Sequence, residues 1–176
     1  MTKYFIDLGC NDGVSIRDFA EGYRYDEPDF KDFKLIGFDP LNVYQKKWKK
    51  LKSKYNVEFI QAAVWDKNED LIFNECVDDI ASSLMTKSTG EILDSYEVQG
   101  IDFAEWLKEN IKPEDYVVTK FDIEGAEYVV IPHLIRTGAS KLIDKWFIEF
   151  HNHKITDDYS EAEKFIRDHI SINSHR

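Results

Sequence analysis

Residues 4–16 read YFIDLGCNDGVSI, a short apolar run that reaches an acid and then passes into a loop with two glycines. This order is typical of the first strand, loop and helix of a doubly wound α/β sheet. Gly9 and Gly13 let the backbone turn sharply and approach a ligand that a side chain would obstruct. A dinucleotide-binding loop has a further glycine between these two, where this chain has Asn11. The loop therefore fits a ligand without phosphates better than a dinucleotide.

Asp39 ends the second predicted strand, in the stretch GFDP at residues 37–40. An acid at this place in a βαβ unit accepts hydrogen bonds from the ribose hydroxyls of an adenosine ligand. The alternative is an ordinary turn aspartate before Pro40, and either signal alone is weak. Because the glycine loop and this acid occur together in the first two strands, they favour an adenosine-containing ligand.

Five short runs rich in β-branched and aromatic residues alternate with helical patterns, which predicts a Rossmann-like, doubly wound and mostly parallel α/β sheet. The predicted strands are Tyr4–Leu8, Lys34–Phe38, Val57–Val64, Tyr116–Phe121 and Lys145–Phe150. The predicted helices are Ser15–Tyr23, Leu41–Tyr55, Asp102–Asn110, Ala126–Thr137 and Tyr159–Ile170. Such sheets bind ligands at the carboxyl ends of their strands, where the strand order reverses.

The stretch from Leu71 to Ser95 interrupts this alternation. LIFNEC, residues 71–76, predicts an extra edge strand, and DDIASSLMTKSTGE, residues 78–91, is typical of a long loop beside a cleft. The whole chain, 1–176, is predicted to form one domain. Within it we expect a cofactor half at about 1–66, a variable loop at about 70–98 and a catalytic or substrate half at about 99–176.

The composition argues against several classes of protein. The chain has 176 residues, is 43% hydrophobic and carries two cysteines, so it is neither disordered nor held by a disulfide framework. No apolar run approaches the ~20 residues that span a membrane, and Asp7 comes too early for a secretory leader. These features predict a cytoplasmic protein that does not enter a membrane. The net charge of -11 makes nucleic acid an unlikely general partner.

One basic run departs from this acidic balance: KKWKKLKSK, residues 46–54, carries six lysines. Tyr44, Trp48, Leu51 and Tyr55 fall on one face of the predicted helix, and the lysines fall on the other. The pattern favours a solvated helix face, and an anionic substrate or partner remains the alternative.

The chain resembles the FkbM-type methyltransferases, which belong to the class I S-adenosylmethionine-dependent superfamily. The resemblance is carried, in order, by FIDLGCNDG, GFDP, QAAVWD, ASSL, VVTKFDIEGAEYVVI and FIEFHNH, between Tyr4 and about His153. It implies transfer of a methyl group from S-adenosylmethionine to a hydroxyl of a sugar-like or other small acceptor, with S-adenosylhomocysteine as product. The superfamily closes its sheet with an antiparallel pair of strands, and only ISINSHR follows the last predicted helix, so a shortened sheet is expected.

The resemblance also implies the site residues. Those expected to bind the cofactor are Asp7, Gly9, Cys10, Asn11, Asp12, Gly13, Asp39, Pro40, Ala63, Val64 and Asp122. From their position after the fourth and fifth predicted strands, rather than from the resemblance, Asp122, Glu124, Glu149 and His151 are expected to be catalytic groups and Glu127 a weaker substrate contact. Ser82 and Ser83 match a feature of the family and are also expected as weaker substrate contacts. Cys10 is more easily explained as a small filler residue than as a nucleophile.

A hydroxyl acceptor must lose its proton, which calls for a general base or a metal ion. Glu149 and His151 are two apart in a strand and therefore point to the same side. Asp122, Glu149 and His151 are residue types that bind divalent metals, but their spacing in the sequence does not match a metal-binding motif. A metal site is therefore not the favoured expectation. Glu124 and Glu127 have a simpler alternative as helix-opening acids.

Two other functions remain open on the sequence. One is a module that binds S-adenosylmethionine but has lost its chemistry, and the other is an NAD-dependent oxidoreductase. The carboxylate-rich DIEGAE stretch, residues 122–127, and Asn11 in the loop speak against the oxidoreductase. The sequence leaves the oligomeric state open, a homo-oligomer included, and does not identify the acceptor.

Overall fold

The computed structural model describes residues 1–25, 27, 30–76, 84, 92–151 and 157–173. The strands are β1 (Lys3–Leu8), β2 (Phe33–Phe38), β3 (Val57–Ile60), β4 (Ala63–Trp65), β5 (Glu69–Cys76), β6 (Ile92–Asp102), β7 (Tyr116–Phe121) and β8 (Lys145–Ile148). The helices are α1 (Val14–Ala20), α2 (Gln45–Lys54), α3 (Phe103–Asn110), α4 (Glu127–Thr137) and α5 (Ser160–His169), with 3-10 turns at Phe30–Asp32 and Ala139–Leu142. The predicted substrate residues Ser82 and Ser83 lie outside the described residues.

The central sheet has five strands in the order β3-β2-β1-β7-β8, and each neighbouring pair is parallel. The prediction of a mostly parallel α/β sheet is therefore confirmed. The chain moves outward from β1 through β2 to β3 and then returns to the other side of β1 as β7. The strand order thus reverses between β1 and β7, where a ligand crevice is expected.

A second, three-stranded sheet has the order β4-β6-β5, with β5 antiparallel to β6. The predicted edge strand at residues 71–76 is confirmed as part of β5. The prediction of one strand over Val57–Val64 is wrong, because the chain leaves the central sheet after Ile60. β4 then pairs with β6, so Ala63 and Val64 belong to the other sheet. Such a pairing between distant segments leaves no local signal in the sequence.

Apolar layers on both faces hold the central sheet. Ile6, Leu8 and Phe121 lie in the larger core cluster, together with residues of α3 and α4. Phe5 lies in a second cluster on the opposite face and stacks on Phe19 of α1, with ring centroids 4.0 Å apart. β1 therefore contributes alternate side chains to two cores, as expected of a central strand buried on both faces.

Local hydrogen bonds to aspartate side chains determine where helices α2 and α3 begin. Asp102 caps α3 by accepting hydrogen bonds from the backbone N–H groups of Ala104 and Glu105, as its position predicted. Helix α2 begins at Gln45 rather than at Leu41, because the Leu41 N–H bonds to the Asp39 carboxylate in the preceding turn. All six lysines of residues 46–54 are exposed, as expected for a solvated helix face.

Beyond β8, the strand pairing given for the described residues is an isolated parallel bridge between Trp146 and Ile172. The backbone N–H of Asn173 adds a hydrogen bond of 2.7 Å to the Trp146 carbonyl. Within residues 1–173, as far as the structure describes them, no antiparallel strand covers this edge. None of the described helices is long and apolar enough to cross a membrane.

Candidate active site

A cleft lies at the carboxyl ends of β1, β2 and β7, where the strand order reverses. Its volume is about 730 Å³ when the open mouth is included. The lining residues include Gly9, Asn11, Asp39, Pro40, Ala63, Val64, Asp122 and Glu124, all of which were predicted from the sequence. Phe73 and Leu84 line it as well. The cleft is therefore apolar over much of its wall and carries carboxylates at Asp39 and in the loop after β7.

Gly9 is required by the close approach of two chain segments. Its φ angle is +78°, and a Cβ atom at this position would lie 1.9 Å from the carbonyl oxygen of Asp122. The end of β1 thus passes directly against the end of β7. Because Gly9 has no side chain, the Asp122 backbone can lie directly against the loop between β1 and α1, residues 9–13, which we call the first loop.

Asp39 is held in the cleft by two backbone hydrogen bonds. Its Oδ2 accepts from the Asn11 N–H at 2.8 Å, and its Oδ1 accepts from the Leu41 N–H at 3.0 Å. Burial raises the pKa of Asp39 to about 6, against the lowering effect of these two hydrogen bonds. Each carboxylate oxygen can accept a second hydrogen bond, so the group keeps the capacity to bind two ligand hydroxyls.

Lys120, near the end of β7, links Asp7 in β1 to Asp122 in the loop after β7 by two ion pairs. Its Nζ lies 2.9 Å from Asp122 Oδ2 and 3.3 Å from Asp7 Oδ1. Burial alone would lower the pKa of Lys120, but the charges of Asp7 and Asp122 outweigh burial and raise it. Asp7 is fully buried, and burial raises its pKa as well. The bridge occupies Oδ2 of Asp122 and leaves Oδ1 facing the other way.

Glu127 orients His151 from inside the protein. Glu127 is fully buried, and its carboxylate accepts hydrogen bonds from the backbone N–H groups of Ile123 and Gly125, each at 2.8 Å. Its Oε1 also lies 3.1 Å from Nδ1 of His151. Both carboxylate oxygens of Glu127 are thus engaged within the protein. Glu127 therefore lies on the Nδ1 side of His151, where it positions the imidazole.

The other imidazole nitrogen of His151 faces three carboxylates. Nε2 lies 3.6 Å from Oδ1 of Asp122, from Oε1 of Glu124 and from Oε1 of Glu149. His151 is 1% exposed, and Nε2 is buried without a hydrogen-bond partner in the described part of the chain. Burial alone would lower the pKa of His151, but the hydrogen bond and charge of Glu127 and the charges of Glu124 and Asp122 raise it. We call Asp122, Glu124, Glu149 and His151 the acid–histidine cluster.

Other predicted cofactor residues do not line the cleft. Cys10 is buried in the core cluster that contains Phe5, and burial raises the pKa of its thiol well above its ordinary value. This placement agrees with the interpretation of Cys10 as a filler residue. The carboxylate of Asp12 lies 2.9 Å from Nζ of Lys47, and Gly13 packs against Leu51 of the same helix.

Trp48, on the buried side of α2, supports the first loop from beneath. Its indole N–H donates a 2.7 Å hydrogen bond to the carbonyl oxygen of Asn11. Its ring stacks on Phe59 of β3 at 4.9 Å, with the planes 2° apart. A helix that the sequence analysis treated as a packing element therefore also fixes the backbone of a cleft residue.

Two features of this site go beyond the residues predicted from the sequence. One is the role of Lys120, for which a lysine near the end of an apolar strand is itself a signal of a buried ion pair. The other is the pair of wall residues Phe73 and Leu84, which lie within the segment predicted as a variable loop at about 70–98. Of the predicted residues that are described, the structure brings together Asp39, Asp122, Glu124, Glu149 and His151 around one cleft and its rim.

Comparison with known proteins supports this architecture. Residues 81–168, which amount to half of the chain, match a family described as a domain of unknown function, DUF7870. No curated protein matches the sequence. The crystal structure of methyltransferase FkbM from Methylobacillus flagellatus KT is similar, with a TM-score of 0.58 and 12% sequence identity. The match covers 95% of this chain and 37% of that chain, so the present chain spans little more than a third of that protein. The two proteins share a methyltransferase-like fold.

Proposed function

We propose that this chain, which belongs to the DUF7870 family of domains of unknown function, is an S-adenosylmethionine-dependent O-methyltransferase. The acceptor in this proposal is a hydroxyl of a sugar-like or other small molecule. The observation that carries it is one cleft, at the strand-order reversal of a methyltransferase-like sheet, with Asp39 beside one wall and the acid–histidine cluster at its rim.

The cleft residues fit an adenosine group. Asp39 offers two oxygens that each keep a free acceptor site, which suits the two ribose hydroxyls. Ala63, Val64 and Phe73 supply the small and apolar wall that suits a flat base. The first loop lacks the extra glycine of dinucleotide-binding loops, which favours a ligand without a pyrophosphate.

The acid–histidine cluster fits the other requirement of the reaction. S-adenosylmethionine supplies a methyl group on a positively charged sulfur, and the acceptor oxygen takes this methyl as the carbon–sulfur bond breaks. The residues must therefore hold the hydroxyl in line and remove its proton. Asp122 and Glu124 line the cleft, and Glu149 is 58% exposed at its rim. The proton of the hydroxyl is accepted by a carboxylate of the cluster.

Calorimetric titration with S-adenosylmethionine, S-adenosylhomocysteine and NAD tests the proposal. We expect the two sulfur ligands to bind, NAD not to bind, and Asp39→Ala to weaken binding about tenfold or more, because the ribose loses its carboxylate. Asp32→Ala is the matched control, since Asp32 is exposed at the opposite end of the same strand. Binding of NAD, or equal affinities in the Asp39→Ala variant and the wild-type protein, would contradict the proposal.

A further inference from the structure

The acid–histidine cluster has the geometry of a cation site, and we infer that Asp122, Glu149 and His151 bind one divalent metal ion at the rim of the cleft. One ligand atom from each of these residues lies within 4.8 Å of the others. Ligand atoms about 2.1 Å from an ion lie roughly 3.0–3.4 Å apart in octahedral or tetrahedral geometry. The observed 3.6 Å from Nε2 to each carboxylate needs only a small contraction to reach this range.

The buried imidazole nitrogen is the observation that points to an ion rather than to an ordinary acidic surface. His151 Nε2 is buried, has no hydrogen-bond partner among the described residues and faces the carboxylates. Its other nitrogen is held by Glu127, which is itself fixed by two backbone N–H groups. A carboxylate behind a histidine in this way orients a metal-binding imidazole in many metalloproteins.

The charges of the neighbourhood also favour a cation. Asp122, Glu124, Glu127 and Glu149 lie within 3.6 Å of one imidazole. Lys120 is shared with Asp7 and contacts Oδ2 of Asp122, so it leaves Oδ1 available to an ion. One nitrogen and several carboxylate oxygens form a mixed set that suits a first-row divalent ion such as Mn²⁺.

The binding of the ion rests on this geometry alone, whereas its role in catalysis rests on the proposed function. In that role, an ion held by Asp122, Glu149 and His151 would act as a Lewis acid that lowers the pKa of the acceptor hydroxyl. Glu124, which lines the cleft beside the three ligands, would accept the proton. As the oxygen takes the methyl group, the sulfur would keep the electron pair of the broken carbon–sulfur bond and become neutral, and the proton would neutralise the Glu124 carboxylate.

Titration of the full chain with Mn²⁺, followed by electron paramagnetic resonance, tests the inference without any methyl donor. We expect one bound ion with a nitrogen coupling from His151. Glu149→Gln should weaken binding about tenfold or more, and His151→Gln should also abolish the nitrogen coupling. Glu114→Gln, a substitution of an exposed acid before β7, is the matched control and should bind as the wild-type protein does.

Absence of stoichiometric binding at about 1 mM Mn²⁺, or equal binding by the wild-type and Glu149→Gln proteins, would overturn the inference. Because Glu149 is largely exposed, its variant is expected to fold even where His151→Gln does not. Calorimetry with S-adenosylhomocysteine on the same samples separates the two ideas. Mn²⁺ binding without S-adenosylhomocysteine binding leaves the metal site standing and removes the proposed function, and the reverse removes only the metal site.

Discussion

Replacement of Lys120 by methionine should destabilise the protein through Asp7 more than through the lost side chain. Methionine nearly preserves the volume, so the main change is that Asp7, which is fully buried, loses the cation 3.3 Å away. Removal of one partner from a buried ion pair typically costs about 3–5 kcal/mol. Asp122 is 27% exposed and can be solvated, so it adds little. We expect a loss of about 4 kcal/mol in the free energy of unfolding at pH 8.

This loss should shrink as the pH falls. Burial raises the pKa of Asp7 above its ordinary value of 3.8, and Lys120 is the group that opposes this shift. In the variant the folded state therefore binds a proton more readily than the unfolded state does. Stability then decreases with rising pH, by up to about 1.4 kcal/mol per unit between 3.8 and the raised pKa of the folded state. The difference in stability between the variant and the wild-type protein should therefore be smaller at pH 5 than at pH 8.

Urea unfolding at pH 5 and pH 8 measures both effects. The double variant Asp7→Asn with Lys120→Met should recover about 2 kcal/mol at pH 8, because the isolated buried charge is gone. Lys164→Met is the control, since it removes an exposed pair with Asp168 and should cost less than about 0.5 kcal/mol. A loss below about 1 kcal/mol for Lys120→Met, or a loss that is the same at both pH values, would refute the reasoning.

Three further predictions concern the loops around the cleft. Gly9→Ala should cost about 3 kcal/mol or more in urea unfolding, because its Cβ would meet the Asp122 carbonyl. Gly138→Ala, at a similar φ of +74° in open space, should cost only about 1 kcal/mol, and equal losses would count against the close-approach argument. Glu127→Gln should lower the free energy of unfolding by about 2 kcal/mol in the same assay, because the single oxygen of an amide cannot accept from Ile123 N–H, Gly125 N–H and His151 together. Glu163→Gln, which alters an exposed pair with Arg167, is the control and should change the free energy of unfolding by less than about 0.5 kcal/mol. Calorimetry between pH 5 and 8 should show S-adenosylhomocysteine affinity falling by up to about tenfold per unit below pH 6 as Asp39 is protonated, and the same inflection in Asp39→Asn would assign it to another group.

The parts of the fold that sequence could predict are those with a local cause. β1, the glycine loop and Asp39 follow from residues that are adjacent in the chain, as does the cap of α3 at Asp102. The split between β3 and β4 could not be predicted, because it depends on pairing with β6, far along the chain. A periodic apolar run carries no information about which of two sheets it will join.

In the candidate site, too, the positions of residues at strand ends could be predicted, whereas contacts between distant side chains could not. The sequence placed Asp122, Glu149 and His151 at strand ends, and parallel strands bring such ends to one edge. It could not show that Lys120 bridges Asp7, 113 residues away, or that Glu127 turns inward to hold His151. It also could not show that the side chain of Asp12 turns away to Lys47 on α2. These contacts depend on side-chain direction, which neither spacing nor residue type encodes.

The hydrogen bond from Trp48 to the Asn11 carbonyl provides an optical probe of the cleft. Indole emission responds to the polarity and motion of its surroundings, and this indole is buried, stacked on Phe59 and tied to a cleft-lining backbone group. Replacement of Trp65, Trp106 and Trp146 by phenylalanine would leave Trp48 as the sole tryptophan. Ligand screening could then follow fluorescence from the loop itself, without a label and before any acceptor is known.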